Sequence, residues 1–390
     1  MSLSEMNDIL IKAVEDGEIA GGNFLCLKDG IEQGYFEYGY ADKETKAPIK
    51  KDTIFRLYSM SKPVTSAAVM LLLERGLIDL LDPVELYLEG FKDQKYYEGT
   101  TLKDVKRRMT IKDLLSMTAG LTYPGENSLT ERKTGKLFDK LVDGLKEGSP
   151  YENFGTVEAM NELGKIPLMF SPGDEFLYSS CADVLGAIVE VVTKMPFSEF
   201  LQNNIFTPLD MNDTGFFVPE DKQARLASTY EVSEDGLKKY EGDNLGIQNK
   251  MLHKPTFESG GAGLASTIED YSKFATMLLN KGVYNGRRIL AEKTVEYMTT
   301  NHLNPKQEQF LESWEGLAGY SYGNLMRILT KPELCNHLGT KGEYGWDGWL
   351  GVFFMNSPKD NLTFLLMFQK TNSGTTTLTR KLMNALRASF

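Results

Sequence analysis

The sequence predicts an α+β fold: a mainly antiparallel sheet drawn from both chain ends, flanked by helices, with an inserted helical domain. Three observations predict it. Apolar runs of strand length lie near both termini, at residues 23–27, 350–355 and 362–368, joined early by the aromatic alternation Tyr35, Phe36, Tyr38, Tyr40. A segment of helical period stands at each end, residues 3–16 and 378–387. The middle of the chain carries helical patches separated by polar loops. The expected boundaries are 1–82 with 255–390 for the sheet part, and 83–254 for the insertion.

Each element follows from local chemistry. Ile9, Leu10, Ile11 and Val14 give the first helix an apolar face. Gly21-Gly22 opens the first strand, and Asp29-Gly30 is a hairpin turn into the aromatic strand. After a short apolar run, 54–58, comes Ser59-Met60-Ser61-Lys62-Pro63 and a helix to Arg75, stopped by Gly76. Proline is tolerated only in a helix's first turn, so Pro63 fixes the helix start close to Ser59. Helices are expected at 111–119, 183–194 and 267–279. Segments 122–140 and 144–153 are rich in charge and turn residues and read as surface excursions. Ser259-Gly260-Gly261-Ala262-Gly263 marks a tight backbone region.

Composition narrows the function. The 390 residues carry 43 basic and 54 acidic side chains, net −11, which argues against nucleic-acid binding. The apolar share of 41% and charged share of 25% suit a folded protein. The longest strongly apolar stretch, 67–73, is far short of the ~20 residues that span a bilayer. The N-terminus lacks a basic stretch followed by an apolar one, so a cytoplasmic location is expected. Cys26, Cys181, Cys335, His253, His302 and His337 are scattered without metal-ligand spacing, so neither metal nor cofactor is expected.

Three constellations carry chemistry. Ser59 and Lys62 form S-x-x-K, and Ser59 is the only serine with lysine three positions on. Positions i and i+3 share a helix face, so the amine reaches the hydroxyl. A lysine desolvated there loses its proton and serves as base. Short motifs also arise by chance, but this one sits at a proline-marked helix start. The second is Tyr178-Ser179-Ser180, ahead of a helix: a phenol beside a lysine and a hydroxyl relays protons, its pKa lowered by the ammonium. The ordinary reading of a lone tyrosine is a hydrogen-bonded core residue. The third is Gly345-Trp346-Asp347-Gly348-Trp349-Leu350-Gly351, where glycines let backbone approach a ligand and offer an N–H to an oxyanion beside that of Ser59. A tight strand entry with aromatic packing is its ordinary reading.

Together these residues resemble the serine β-lactamase and penicillin-binding-protein-like hydrolases, in the branch of class C β-lactamases, D-alanyl-D-alanine carboxypeptidases and family VIII carboxylesterases. Asp52-Thr53-Ile54-Phe55-Arg56 resembles the D-T-x-F-R lead-in, and the segments at 77–84, 109–121, 205–214 and 261–282 resemble further family blocks in the same order. The resemblance implies Ser59 as acyl-accepting nucleophile, Lys62 as its activator, Tyr178 as proton shuttle, and the N–H groups of Ser59 and Trp349 as oxyanion hole. It also implies substrate contacts at Tyr123, Ser180, Trp346, Asp347 and Gly348. Tyr123, Trp314, Tyr320, Tyr322 and Trp349 would line an apolar pocket, or each equally would be plain core.

Departures separate the branches. Ser180 replaces the Asn of Y-x-N, and Trp346-Asp347-Gly348 replaces K-T-G, which removes a cation for a substrate carboxylate. Tyr178 to Gly186 instead resembles the esterase pattern Y-S-x-x-x-D-V-L-G, and Gly345 to Gly348 resembles G-W-G-G with Asp347 for a glycine. Asp347 is expected to face away from the oxyanion. Met117 stands where the family has His, read as a packing change. The first expectation is thus a serine hydrolase acting on a small-molecule ester or amide, without cofactor. A β-lactamase or D-Ala-specific peptidase is the alternative, and a non-catalytic scaffold on the same fold is the third. The oligomeric state is not legible.

Overall fold

The computed structural model describes residues 3–312, 314 and 316–390. Eight strands form one antiparallel sheet: β1 Gly21–Lys28, β2 Ile31–Asp42, β3 Ala47–Pro48, β4 Tyr320–Tyr322, β5 Arg327–Leu329, β6 Tyr344–Asp347, β7 Phe353–Ser357 and β8 Leu362–Phe368. Their order is β4-β5-β6-β7-β8-β1-β2-β3. The two chain ends therefore meet at the β1–β8 pairing, with Phe24 opposite Leu366 and Cys26 opposite Phe364. The expectation of a sheet built from both termini holds.

One sheet face is covered by the terminal helices, α1 Ser4–Glu15 and α6 Thr377–Ser389. Met6, Leu10, Leu382 and Leu386 interlock there with Phe24, Phe364 and Phe368. The opposite face packs against α5 Ile268–Leu279, whose Tyr271 stacks on Phe354. α2 Ser61–Glu74 is buried nearly all round, as its apolar run over 67–73 demands. It lies against α4 Cys181–Thr193 in a cluster that runs unbroken from the sheet into the helices of the middle segment.

The structure corrects several boundaries. The helix expected at 111–119 stops at Leu115, because Met117 takes a left-handed φ of 57°. The supposed excursion at 122–140 contains α3 Leu129–Asp143, which buries Leu137, Phe138 and Leu141 beneath a charged outer face. The strand expected from residue 350 starts at Phe353, after a turn closed by Gly351 N donating to Gly348 O at 2.9 Å. Strands β4 and β5 have only three residues each, too short for period-two alternation to show. Among the described residues, no helix is long and apolar enough to cross a membrane.

Candidate active site

The segment leading to Ser59 is clamped before the helix begins. Phe55–Arg56 pairs antiparallel with Ala265–Ser266, and Leu57 N donates to Leu264 O at 2.8 Å. Tyr58 then adopts φ 43°, a strained value for an aromatic residue. That kink starts the 3₁₀ turn Tyr58–Met60 and turns Ser59 outward between two buried neighbours, so Ser59 is partly exposed.

One turn on, Lys62 is fully buried. Its ammonium nitrogen Nζ lies 3.1 Å from Ser59 Oγ, 2.8 Å from Tyr123 Oη and 2.8 Å from the carbonyl oxygen of Gly261. It also sits 4.7 Å from the centre of the Tyr178 ring. All three acceptors are uncharged. Burial pushes its pKa from 10.5 down to about 7, with the nearby Asp183 carboxylate opposing the shift.

Asp183 supports this arrangement from behind. It is buried, accepts from Ser259 Oγ at 2.5 Å and from Gly261 N at 3.0 Å, and its pKa is raised by burial. It thereby holds Gly261, the residue whose carbonyl receives Lys62. A side chain at Gly260 would run into Ala182 O at 2.4 Å, so the loop passes this close only as glycine. Sequence reasoning noted the glycine cluster and the Asp of Y-S-x-x-x-D separately; their shared role appears only when the fold joins them.

Tyr178 faces Ser59 within hydrogen-bond reach and accepts from Trp346 Nε1 at 3.0 Å. Its pKa is raised, not lowered as expected. Desolvation outweighs the hydrogen bonds from Ser59 and Trp346, so the phenol keeps its proton at neutral pH. The end of β6 abuts the residues before Ser59: a Cβ on Gly348 would lie 2.1 Å from Leu57 O, and the Trp349 ring is tilted against Tyr58 with ring centres 4.9 Å apart. This sets the end of β6 against the Leu57–Tyr58 segment that precedes Ser59.

The remaining expected residues separate. Asp347 points to the terminal-helix side of the sheet, where Arg327 Nη1 donates to it at 2.7 Å and Thr375 Oγ1 also donates. Ser180 is fully buried and its hydroxyl donates to Thr122 O at 3.0 Å, so it secures the chain leading to Tyr123 instead of facing open groove. Tyr123 contacts Lys62 directly. Trp314 is exposed and meets Tyr178 edge-on at 5.4 Å. Tyr320 is buried, bonded to Glu343 Oε1 at 2.7 Å, and Tyr322 is buried against Trp346 and Phe176; both are core, not pocket lining.

The beta-lactamase family model matches residues 6–387. The chain belongs to the beta-lactamase family. Among its relatives, Protein Rv1367c of Mycobacterium tuberculosis is 31% identical over 85% of this chain and 81% of its own length. Esterase EstB of Burkholderia gladioli is 29% identical over 68% of this chain and 67% of its own. Among solved structures, "EstCE1, a hydrolase with promiscuous acyltransferase activity" superposes with TM-score 0.82 and 24% identity, covering 99% of this chain and 97% of that one. That likeness extends the family's fold over the whole chain.

Proposed function

We propose that the protein is a serine hydrolase that cleaves carboxylic esters through an acyl-enzyme on Ser59. The observation that carries this reading is a buried lysine with uncharged partners, its Nζ 3.1 Å from the oxygen of a partly exposed serine. Neutral Lys62 accepts the Ser59 proton as Oγ bonds to the ester carbonyl carbon. The resulting oxyanion is held by the N–H groups of Ser59 and Trp349. Tyr178 gives a proton to the departing alcohol oxygen and is reprotonated from Lys62. Water then attacks the acyl-enzyme by the same route in reverse, releasing the acid. Trp346 orients the phenol, Gly348 lets the strand end lie against Leu57, and Tyr123 steadies the lysine. Asp347 and Ser180 act from outside the groove.

The relation to an esterase of 29% identity supports the ester as substrate. So does Trp346 at the position where lactam-handling members carry a cation. Purified protein is expected to hydrolyse nitrophenyl esters, and a fluorophosphonate is expected to add one mass label at Ser59. Turnover that persists in Ser59→Ala would end the proposal. A chromogenic cephalosporin is expected to be a poor substrate; rapid turnover of it would favour the β-lactamase reading. A protein that neither turns over esters nor takes the label would favour the scaffold reading.

A further inference from the structure

The residues that follow β6 form a tight turn, Gly348-Trp349-Leu350-Gly351. Gly351 N donates to Gly348 O at 2.9 Å and closes it, and Gly348 N donates to Val352 O at 2.8 Å. A second segment, 370–373, runs out of β8 and takes up the next two carbonyls. Lys370 N donates to Leu350 O at 2.8 Å, and Ser373 N donates to Trp349 O at 2.9 Å. The carbonyls of Gly348, Trp349 and Leu350 are thus all engaged. The Trp349 N–H, by contrast, has no acceptor among the described residues.

A trans peptide is planar, so its N–H points opposite to its carbonyl. The Gly348 carbonyl points into the turn toward Gly351 N, and the Trp349 N–H of the same peptide therefore points out of it. The Trp349 side chain is held as well. Its ring centre lies 4.9 Å from that of Tyr58 and 5.7 Å from that of Tyr240, and its Nε1 donates to Asn372 Oδ1 at 2.8 Å. Asn372 takes a left-handed φ of 54°, a conformation that asparagine and glycine accept more readily than most residues. Trp349 is therefore tied to one short segment twice: by its indole to Asn372 and by its carbonyl to Ser373.

We propose that Asn372 is a positioning residue for the oxyanion donor: by holding the Trp349 indole it keeps the turn oriented so that the Trp349 N–H stays presented. The inference rests on the ester-hydrolase reading only in assigning that N–H to the oxyanion. A donor fixed before the reaction stabilises the tetrahedral intermediate with no reorganisation. A donor free to swing binds the substrate as before and loses that advantage in the transition state. The effect therefore falls on kcat and not on KM.

Asn372→Gly keeps the left-handed backbone and removes only the acceptor. On nitrophenyl acetate its kcat is expected to fall about three- to tenfold, the worth of one neutral hydrogen bond, with KM within about twofold of the parent. Trp349→Phe, which lacks the indole N–H, is expected to fall at least as far. Adding Asn372→Gly to it is expected to cost less than about twofold more, because the bond is already gone. A kcat for Asn372→Gly within about 1.5-fold of the parent overturns the proposal. So does a loss confined to KM, or a loss as large in the Trp349→Phe protein as in the parent. The rate of fluorophosphonate labelling separates the inference from the reading it rests on. Ser59 Oγ displaces fluoride from phosphorus, and the phosphoryl oxygen takes the oxyanion's place with no ester turned over. If the parent hydrolyses no ester but is labelled at Ser59, and Asn372→Gly is labelled three- to tenfold more slowly, the esterase reading falls and the role of Asn372 stands. If esters are hydrolysed and both proteins are labelled equally fast, the esterase reading stands and the role of Asn372 falls. A parent that takes no label overturns both.

Discussion

Two buried cations lie on opposite sides of β6, and their surroundings are opposite too. Arg327 stands across from Gly345 on β5, on the same sheet face as Asp347, and its guanidinium is closed by that carboxylate at 2.7 Å. Lys62 lies on the Trp346 side and is given a hydroxyl, a phenol and a peptide carbonyl. A buried charge with a carboxylate partner stays charged and holds architecture together. A buried lysine with neutral partners can shed its proton, and its pKa near 7 follows from that. The difference teaches that burial alone does not fix the state of a lysine; what the fold sets opposite its charge does.

The sharpest way to break this comparison is to remove the titration. Lys62→Met is expected to lower ester kcat/KM by about 10²–10⁴-fold, the usual worth of a positioned acid–base group. Lys62→Arg should fall as far, because a guanidinium keeps its proton and cannot serve as base. Steady-state kinetics on a nitrophenyl ester decides it. An arginine variant within fivefold of the parent would show that charge, not proton transfer, is what position 62 supplies.

The structural half of the comparison predicts a loss of stability. Asp347→Ala strands Arg327 behind the sheet, and breaking a buried pair from one side costs about 3 kcal/mol or more. Urea unfolding should show this as a lower midpoint. Arg327→Met combined with Asp347→Ala should recover most of it, since no charge is then left unpaired. A single variant as stable as the parent would mean that the pair is ornamental and that Asp347 needs another explanation.

How much of this was readable beforehand divides along the same line. The sheet from both termini was legible because β1, β7 and β8 are long apolar runs. The edge strands were not, because three residues cannot display alternation. In the site, Ser59 and Lys62 were legible as an i, i+3 pair on a helix marked by Pro63. The wider set around Lys62 was not, because Tyr123, Asp183 and Gly261 are brought in from three separate segments by tertiary packing. The direction of the Tyr178 shift was misread for a related reason. A nearby ammonium lowers a phenol's pKa, but desolvation depends on tertiary burial that residue order does not display, and it is the stronger effect. The side to which Asp347 turned was anticipated, whereas its partner Arg327 was not, since β5 itself was unseen.

The smallest predicted effect is the most informative about how Lys62 is tuned. If the neutral amine is the active form, kcat/KM for an uncharged ester should rise with pH around a midpoint near 7. The same shift has a stability consequence of fixed sign. Folded Lys62 titrates near 7 and the unfolded side chain near 10.5. Between those values the unfolded chain holds a proton that the folded one lacks, so this group makes stability increase as pH rises through that window. Lys62→Met should lose that part of the pH dependence. Tyr123→Phe then removes one of the three acceptors that favour the ammonium, the phenol oxygen at 2.8 Å. The activity midpoint should move to lower pH by about one unit, since a hydrogen bond to a charged group is worth about 1.5 kcal/mol at the low end and one unit is about 1.4. Turnover well above the midpoint should change by less than about tenfold, because the Ser59 and Gly261 contacts remain. A midpoint that moves upward instead would mean that the Tyr123 phenol donates to an already neutral amine, and the tuning of Lys62 would then belong to burial alone.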